Sequence, residues 1–208
     1  NKVEVDMSFQ KPKVFIIGEI LINFHPTANE NIVKYLENNG MEPVLPSYID
    51  FFRRDVIKVK EGIKRDHLPS PFINNILADI TDKVYSRALN SVEEKMKKFK
   101  YYEKRKSVHE ISENIDKFID KTYTIGEGWL IPAEIMEYAA KGVNAFVIIQ
   151  PFGCLPNHIT GRGLVNAMKK RFPTIRIVSI DYDPDTSFAN IENRLQMLIM
   201  GAGEEERE

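Results

Sequence analysis

An α/β fold with a mostly parallel sheet and helices on both faces follows from three features of this sequence. Two uninterrupted apolar runs, KVFIIGEI at 13–20 and AFVIIQ at 145–150, read as strands covered on both sides rather than the alternation of a half-exposed sheet. Segments with helical apolar spacing alternate with such strands, as βαβ units require. Glycines at Gly40 and Gly142 stand where two of those helices should stop. The expectation is a three-layer αβα, Rossmann-like domain carrying a helical insertion.

Residues 1–12 read as a polar lead-in, and 13–20 as the first strand with Gly18 and Glu19 near its carboxyl end. The loop FHPTAN then leads to a helix over about 30–39. Thr27 to Glu30 fits a capping box, and Asn29 competes as a cap ahead of Ile32, Val33 and Leu36. EPVLPSY, 42–48, is expected as a short second strand with Pro46 at its exit. From 50 to 123 the chain turns highly charged. Ile73, Ile76, Leu77, Ile80, Val84 and Leu89 fall near helical spacing, as do Ile111, Ile115, Phe118 and Ile119, while Pro69 and Pro71 interrupt. The expected organisation is a single domain over 1–208, with core 13–49 and 124–200 and a helical insertion 50–123.

The sheet pattern is expected to resume at TIGEGW, 124–129, followed by a helix over 131–141 with Pro132 in its first turn. The central strand 145–150 leads through a loop to a helix over 160–171. A strand at 176–181, a turn at 183–187 and a closing helix at 188–200 complete the fold, with GAGEEERE as a frayed acidic end.

Composition narrows the function classes. Lys plus Arg number 29 against 30 Asp plus Glu, so no global charge draws the chain toward nucleic acid or an anionic membrane. A single cysteine excludes an internal disulfide framework and any self-contained multi-cysteine metal site. No apolar run approaches the ~20 residues of a membrane span. A cytoplasmic protein is expected, and the start NKVEVDMSF, without an initiator Met, reads as a piece of a larger multidomain chain. The stretch 93–106, EEKMKKFKYYEKRK, mixes both charges and reads as a solvated helix face.

The chemistry-bearing residues gather at strand ends, where open α/β sheets bind ligands. Cys154 follows the central strand and precedes a helix; near the helix start its thiolate would be stabilised, making it a ligand or nucleophile, unless it is a small buried apolar group. Gly153, Pro151 and Pro156 imply a stiff loop around it. His158, four residues on, could serve as its base with Asp181 as a third member, or could cap the helix. Gly161-Arg162-Gly163 lacks the third glycine of a dinucleotide fingerprint and is taken as a helix-entry turn. Asp181, Asp183, Asp185 and Glu192 share the spacing of a calcium loop, but Thr186 stands where that loop needs glycine. Glu19 and Glu127 each follow a glycine near a strand end, with His25 and Trp129 close behind. They either line the same edge as Cys154 or hold loop backbone, and the structural role is preferred.

Three stretches together carry a resemblance: IIGEILINFHPTANENIVKYLENNG, IGEGWLIPAEIMEYAAKGVNAFVIIQPFGCLPNHITGRG and IRIVSIDYDPDTSFANIENRLQML. They resemble the carboxyl-terminal region of large acyl-CoA-substrate-specific enzyme activases, also called 2-hydroxyglutaryl-CoA dehydratase component A, and more distantly the 2-hydroxyacyl-CoA dehydratase subunits. The likeness covers nearly everything outside the insertion. In those subunits a late strand-loop cysteine is one of three that hold a four-iron four-sulfur cluster, and Cys154 matches it by position. The IDYD strand and the Arg194 helix match the next strand and helix of that family. The resemblance implies a half-site: one cluster ligand here, framed by Gly153 and His158, with the other cysteines and the ATP-binding activase domains lying outside this chain. Its implied partners are those remaining domains, a dehydratase and a low-potential electron donor. By this reading the chain alone does not catalyse dehydration. The rivals are a structural or interaction module with no metal role and, more distantly, a Cys–His thiol enzyme.

Overall fold

The computed structural model describes residues 10–65, 72–185 and 187–204. The chain divides into two compact units, one built on Ser47–Thr122 and the other on Phe9–Pro46 with Tyr123–Glu208.

In the second unit, strands β1 (Lys13–Gly18), β2 (Glu42–Val44), β3 (Ala145–Pro151) and β4 (Arg176–Tyr182) form one sheet in the order β2-β1-β3-β4. Every neighbouring pair is parallel. Around them run helices α1 (Ile20–Phe24), α2 (Ile32–Asn38), α6 (Leu130–Ala140), α7 (Leu155–Thr160), α8 (Val165–Arg171) and α9 (Phe188–Glu204). Alternation along the strands splits the apolar runs into two cores. Val14, Ile16, Ala145, Val147, Ile149 and Ile180 pack with Ile22 of α1, Ile32 and Leu36 of α2, and Leu195 and Leu198 of α9. The intervening residues turn to the other face, where Phe15 stacks on Tyr138 of α6 with ring centroids 4.0 Å apart. This is a three-layer αβα arrangement of Rossmann-like type, and its sheet is wholly rather than mostly parallel.

Several elements differ from the sequence expectation. β1 ends at Gly18, and ILINF coils into α1 because the Glu19 side chain caps it, accepting from the Ile22 N–H at 2.9 Å. Neither Asn29 nor the Thr27–Glu30 box caps α2: the cap residue is Asn31, in the left-handed region, and Asn29 instead donates to the Ile22 carbonyl at 2.7 Å. β2 shrinks to three residues, and Tyr48 opens a helix. TIGEGW forms turns and no strand, since Gly126 and Gly128 adopt φ of 58° and 54°. The helix expected over 160–171 breaks at Gly161 into α7, a 3-10 turn at Arg162–Leu164 and α8. The first residues of GAGEEERE continue α9, with Ala202 fully buried, and the last four lie outside the described residues. Most of the polar lead-in, and Pro69 and Pro71, also lie outside them.

The other unit contains α3 (Tyr48–Arg65), α4 (Phe72–Met96) and α5 (Val108–Ile115). Ser107 and Glu110 form a capping box that starts α5, and Val108, Ile111 and Ile115 bury its apolar face. α3 packs on α4 through a polar seam: the Arg53 guanidinium, buried, donates to Asp82 at 3.3 Å and to Ser86 at 3.1 Å. His109 Nε2 lies 3.0 Å from Asp82 as well. The apolar stripe of α4 does not face this seam; Ile73, Leu77, Ile80 and Val84 are exposed. Only the first four residues of the 93–106 stretch are helical.

Candidate functional site

The carboxyl edge of the sheet is assembled from three strand exits that the parallel register brings level. Gly18 pairs with Ile149, and Gln150 with Asp181. A β-carbon on Gly18 would stand 1.6 Å from the Ile149 carbonyl oxygen, so only glycine lets β1 and β3 lie this close at their ends. Beyond Gly18, the Glu19 N–H donates to the Ile149 carbonyl at 3.0 Å. The Ile20 N–H donates to Glu127 Oε1 at 3.0 Å. Asn157, fully buried in α7, closes the arrangement. With its amide turned to satisfy both ends, Nδ2 donates to Glu127 Oε2 and Oδ1 shares the Glu19 N–H with the Ile149 carbonyl, at 2.9 Å. Glu127 therefore ties the start of α1 to α7 through Asn157, while the Glu19 carboxylate caps its own helix.

Cys154 sits in the middle of this edge. β3 ends in a turn closed by the Cys154 N–H donating to the Pro151 carbonyl at 3.1 Å, with Gly153 at φ 75°, where a type II turn needs a left-handed residue. Cys154 is the N-cap residue of α7 and is half-buried. Its thiol is pushed up from its ordinary pKa by burial, against the lowering effect of the Asn157 N–H, and further up by the charges of Glu127 and Glu19. The expectation of a readily formed thiolate is reversed: a six-residue helix start is outweighed by burial and two nearby carboxylates.

His158 and Asp181 do meet, with Nε2 3.4 Å from Oδ1. The Nδ1 atom, however, lies 2.8 Å from the Cys154 backbone carbonyl, an acceptor only, so Nδ1 carries a proton and donates there. Both ring nitrogens are thus engaged away from the sulfur. Asp181 also accepts from Gln150 Nε2 at 2.7 Å and from Arg162 Nη1 at 3.0 Å. That network ties α7 and the 3-10 turn to the ends of β3 and β4. Asp183 takes the Asp185 N–H at 3.0 Å and Glu192 the Tyr35 hydroxyl at 3.3 Å, so the acidic spacing serves separate local bonds. His25, exposed at the end of α1, accepts from the Ala28 N–H at 3.3 Å. Trp129 is wholly enclosed at the start of α6 rather than open to the edge.

Asn157 and Gln150 are not expected as site residues from the sequence. A polar residue directly after an apolar strand, and another in a helix's first turn beside proline, are the signals that could have found them. A further concavity in the helical unit is lined by Asp50, Arg53, Glu93, Tyr102, Arg105 and His109. Its cations and anions are largely directed at one another.

The class defined by this fold is a three-layer α/β domain with an all-parallel sheet and a thiol-bearing strand-end loop. No family model, curated protein or solved structure matches the chain. Among the described residues no three His, Cys, Asp or Glu side chains gather in a way that could hold a metal ion. Among them, too, no helix is long and apolar enough to cross a membrane.

Proposed function

We propose that this chain supplies Cys154 as one thiolate ligand of a four-iron four-sulfur cluster whose remaining ligands come from outside it, in a cytoplasmic ATP-dependent electron-transfer protein related to the activases and 2-hydroxyacyl-CoA dehydratases. The observation that carries the reading is the placement of a half-buried thiol at the carboxyl edge of β3, at the start of a helix whose Asn157 is bonded to Glu127 and the Glu19 N–H. A partly open sulfur at a strand-end turn suits a ligand position, whereas a nucleophile would need His158 aimed at it. One thiolate fits one corner of such a cluster and no more. When bound, the cluster would accept and pass single electrons at low potential. The residues of this chain would fix the sulfur and, through Glu19 and Glu127, place negative charge beside it, which disfavours reduction. The partners are the other domains of the parent, a dehydratase and a low-potential donor; dehydration itself is not assigned to this chain.

Anaerobic iron–sulfur reconstitution of the full-length protein, wild type against Cys154→Ala, tests the reading. The variant should lose cluster content and change its electron paramagnetic resonance spectrum. Unchanged iron, sulfide and spectrum would refute ligation by Cys154. They would leave an interaction module as the function, a second reading favoured by the exposed apolar stripe of α4.

A further inference from the structure

We infer that α4 pairs with α4 of a second copy of this chain, antiparallel, through its exposed apolar stripe. Ile73, Ile76, Leu77, Ile80 and Val84 are each between 40% and 63% exposed, a contiguous aliphatic surface on one helix face. At ~100° per residue, 73, 77, 80 and 84 lie within a narrow band, and Ala78, Asp82, Ser86 and Leu89 lie on the opposite side. That opposite side is the one Arg53 of α3 engages, through Asp82 and Ser86. The helix has turned this mixed side inward and left its aliphatic stripe without a cover among the described residues.

Three properties of the stripe select a second copy as the cover. Its 4-3-4 spacing is that of the seam of two paired helices. The spacing also reads the same in both directions, so an antiparallel two-fold sets Ile73 opposite Val84 and Leu77 opposite Ile80 in both halves at once. The flanks suit the same arrangement. Asn74, Thr81 and Ala88 on one side are uncharged, and on the other Lys83 falls beside Ile76 of the second copy, so like charges do not meet. Covering the stripe on two copies removes about 1,000 Å² from water, at the lower limit for a specific interface. A reversible dimer with a micromolar dissociation constant is expected.

Sedimentation velocity of the full chain across about 1–300 μM gives the first readout, and charge-complementary variants give the second. Leu77→Glu and Ile80→Lys are both exposed helix positions filled by good helix formers, and far-UV circular dichroism checks that each variant folds. Each alone buries unpaired charge in a homodimer and should weaken association about 100-fold. Mixed together they should associate again, because the antiparallel register puts residue 77 of one copy against residue 80 of the other. A wild type that stays monomeric over the whole range gives the stripe to a different partner and overturns the inference. So does a dimer that either single variant leaves intact, or a mixture that fails to re-associate.

Discussion

Replacing Gly18 with alanine should separate β1 from β3 at the end that carries the site. The added methyl would stand 1.6 Å from the Ile149 oxygen and 2.6 Å from its carbonyl carbon, where ordinary contact needs about 3.5 Å. The obstacle is backbone in the middle of a four-stranded sheet, so no side-chain rotation relieves it. The strands must part by something under 2 Å, which breaks the Glu19 N–H bond to Ile149 and loosens the Glu127–Asn157 clasp behind it. Overpacking costs about 1–3 kcal/mol and an orphaned buried hydrogen bond about 1–3 more. The sum is about 2–6 kcal/mol, a large share of the ~5–15 kcal/mol that stabilises a domain. The single tryptophan, Trp129, is fully buried in the sheet unit, so its fluorescence reports that unit alone. Urea unfolding followed this way should show a midpoint lower by roughly 1–3 M, taking a slope of about 2 kcal/mol per molar. A midpoint equal to wild type would refute the close approach of β1 and β3.

Two further predictions concern charge. Alkylation of Cys154 by iodoacetamide should have its midpoint above that of free cysteine, because burial comes first in raising the thiol and the Glu127 and Glu19 carboxylates add to it. Glu127→Gln should bring the midpoint down, and by the same proton balance cluster loading in the full-length protein should improve as pH rises. In the helical unit, Asp82 is pushed up by partial burial but held below its usual value overall by the His109 hydrogen bond and charge and by Arg53. Its contribution to stability is present above the unfolded value of 3.8 and is lost as pH falls through the depressed folded value. Asp82→Asn should cost about 1–3 kcal/mol by circular-dichroism denaturation, discounted because the group is partly open to water. Asp50 behaves oppositely. Burial raises its pKa despite Arg53, so its contribution is complete below 3.8 and fades as pH rises through the raised folded value. Asp50→Asn should flatten that decline.

By itself the sequence determined what short-range physics determines. Phe15 to Ile17 and Phe146 to Ile149 read as strands covered on both faces, because each is an unbroken apolar run, and they are buried strands. Asn39-Gly40 and Gly142 could only end helices, since the chain there turns left-handed. Cys154 was legible as a strand-end residue for the same reason, standing just past an apolar run. Tertiary structure decided everything that depends on which loops meet. TIGEGW has the local look of a strand, and its backbone is instead folded so that the Trp129 N–H can reach the Tyr123 carbonyl. Glu19 and Glu127 lie 108 residues apart, and no local pattern announces that Asn157 joins them. Burial first, and then the charge of these two carboxylates, raise the pKa of the very thiol whose helix-start position suggested the reverse. The α4 stripe teaches the same lesson. Periodicity established that a helix had an apolar face, but which neighbour receives that face is a long-range choice, and here α3 took the side that carries Asp82 and Ser86.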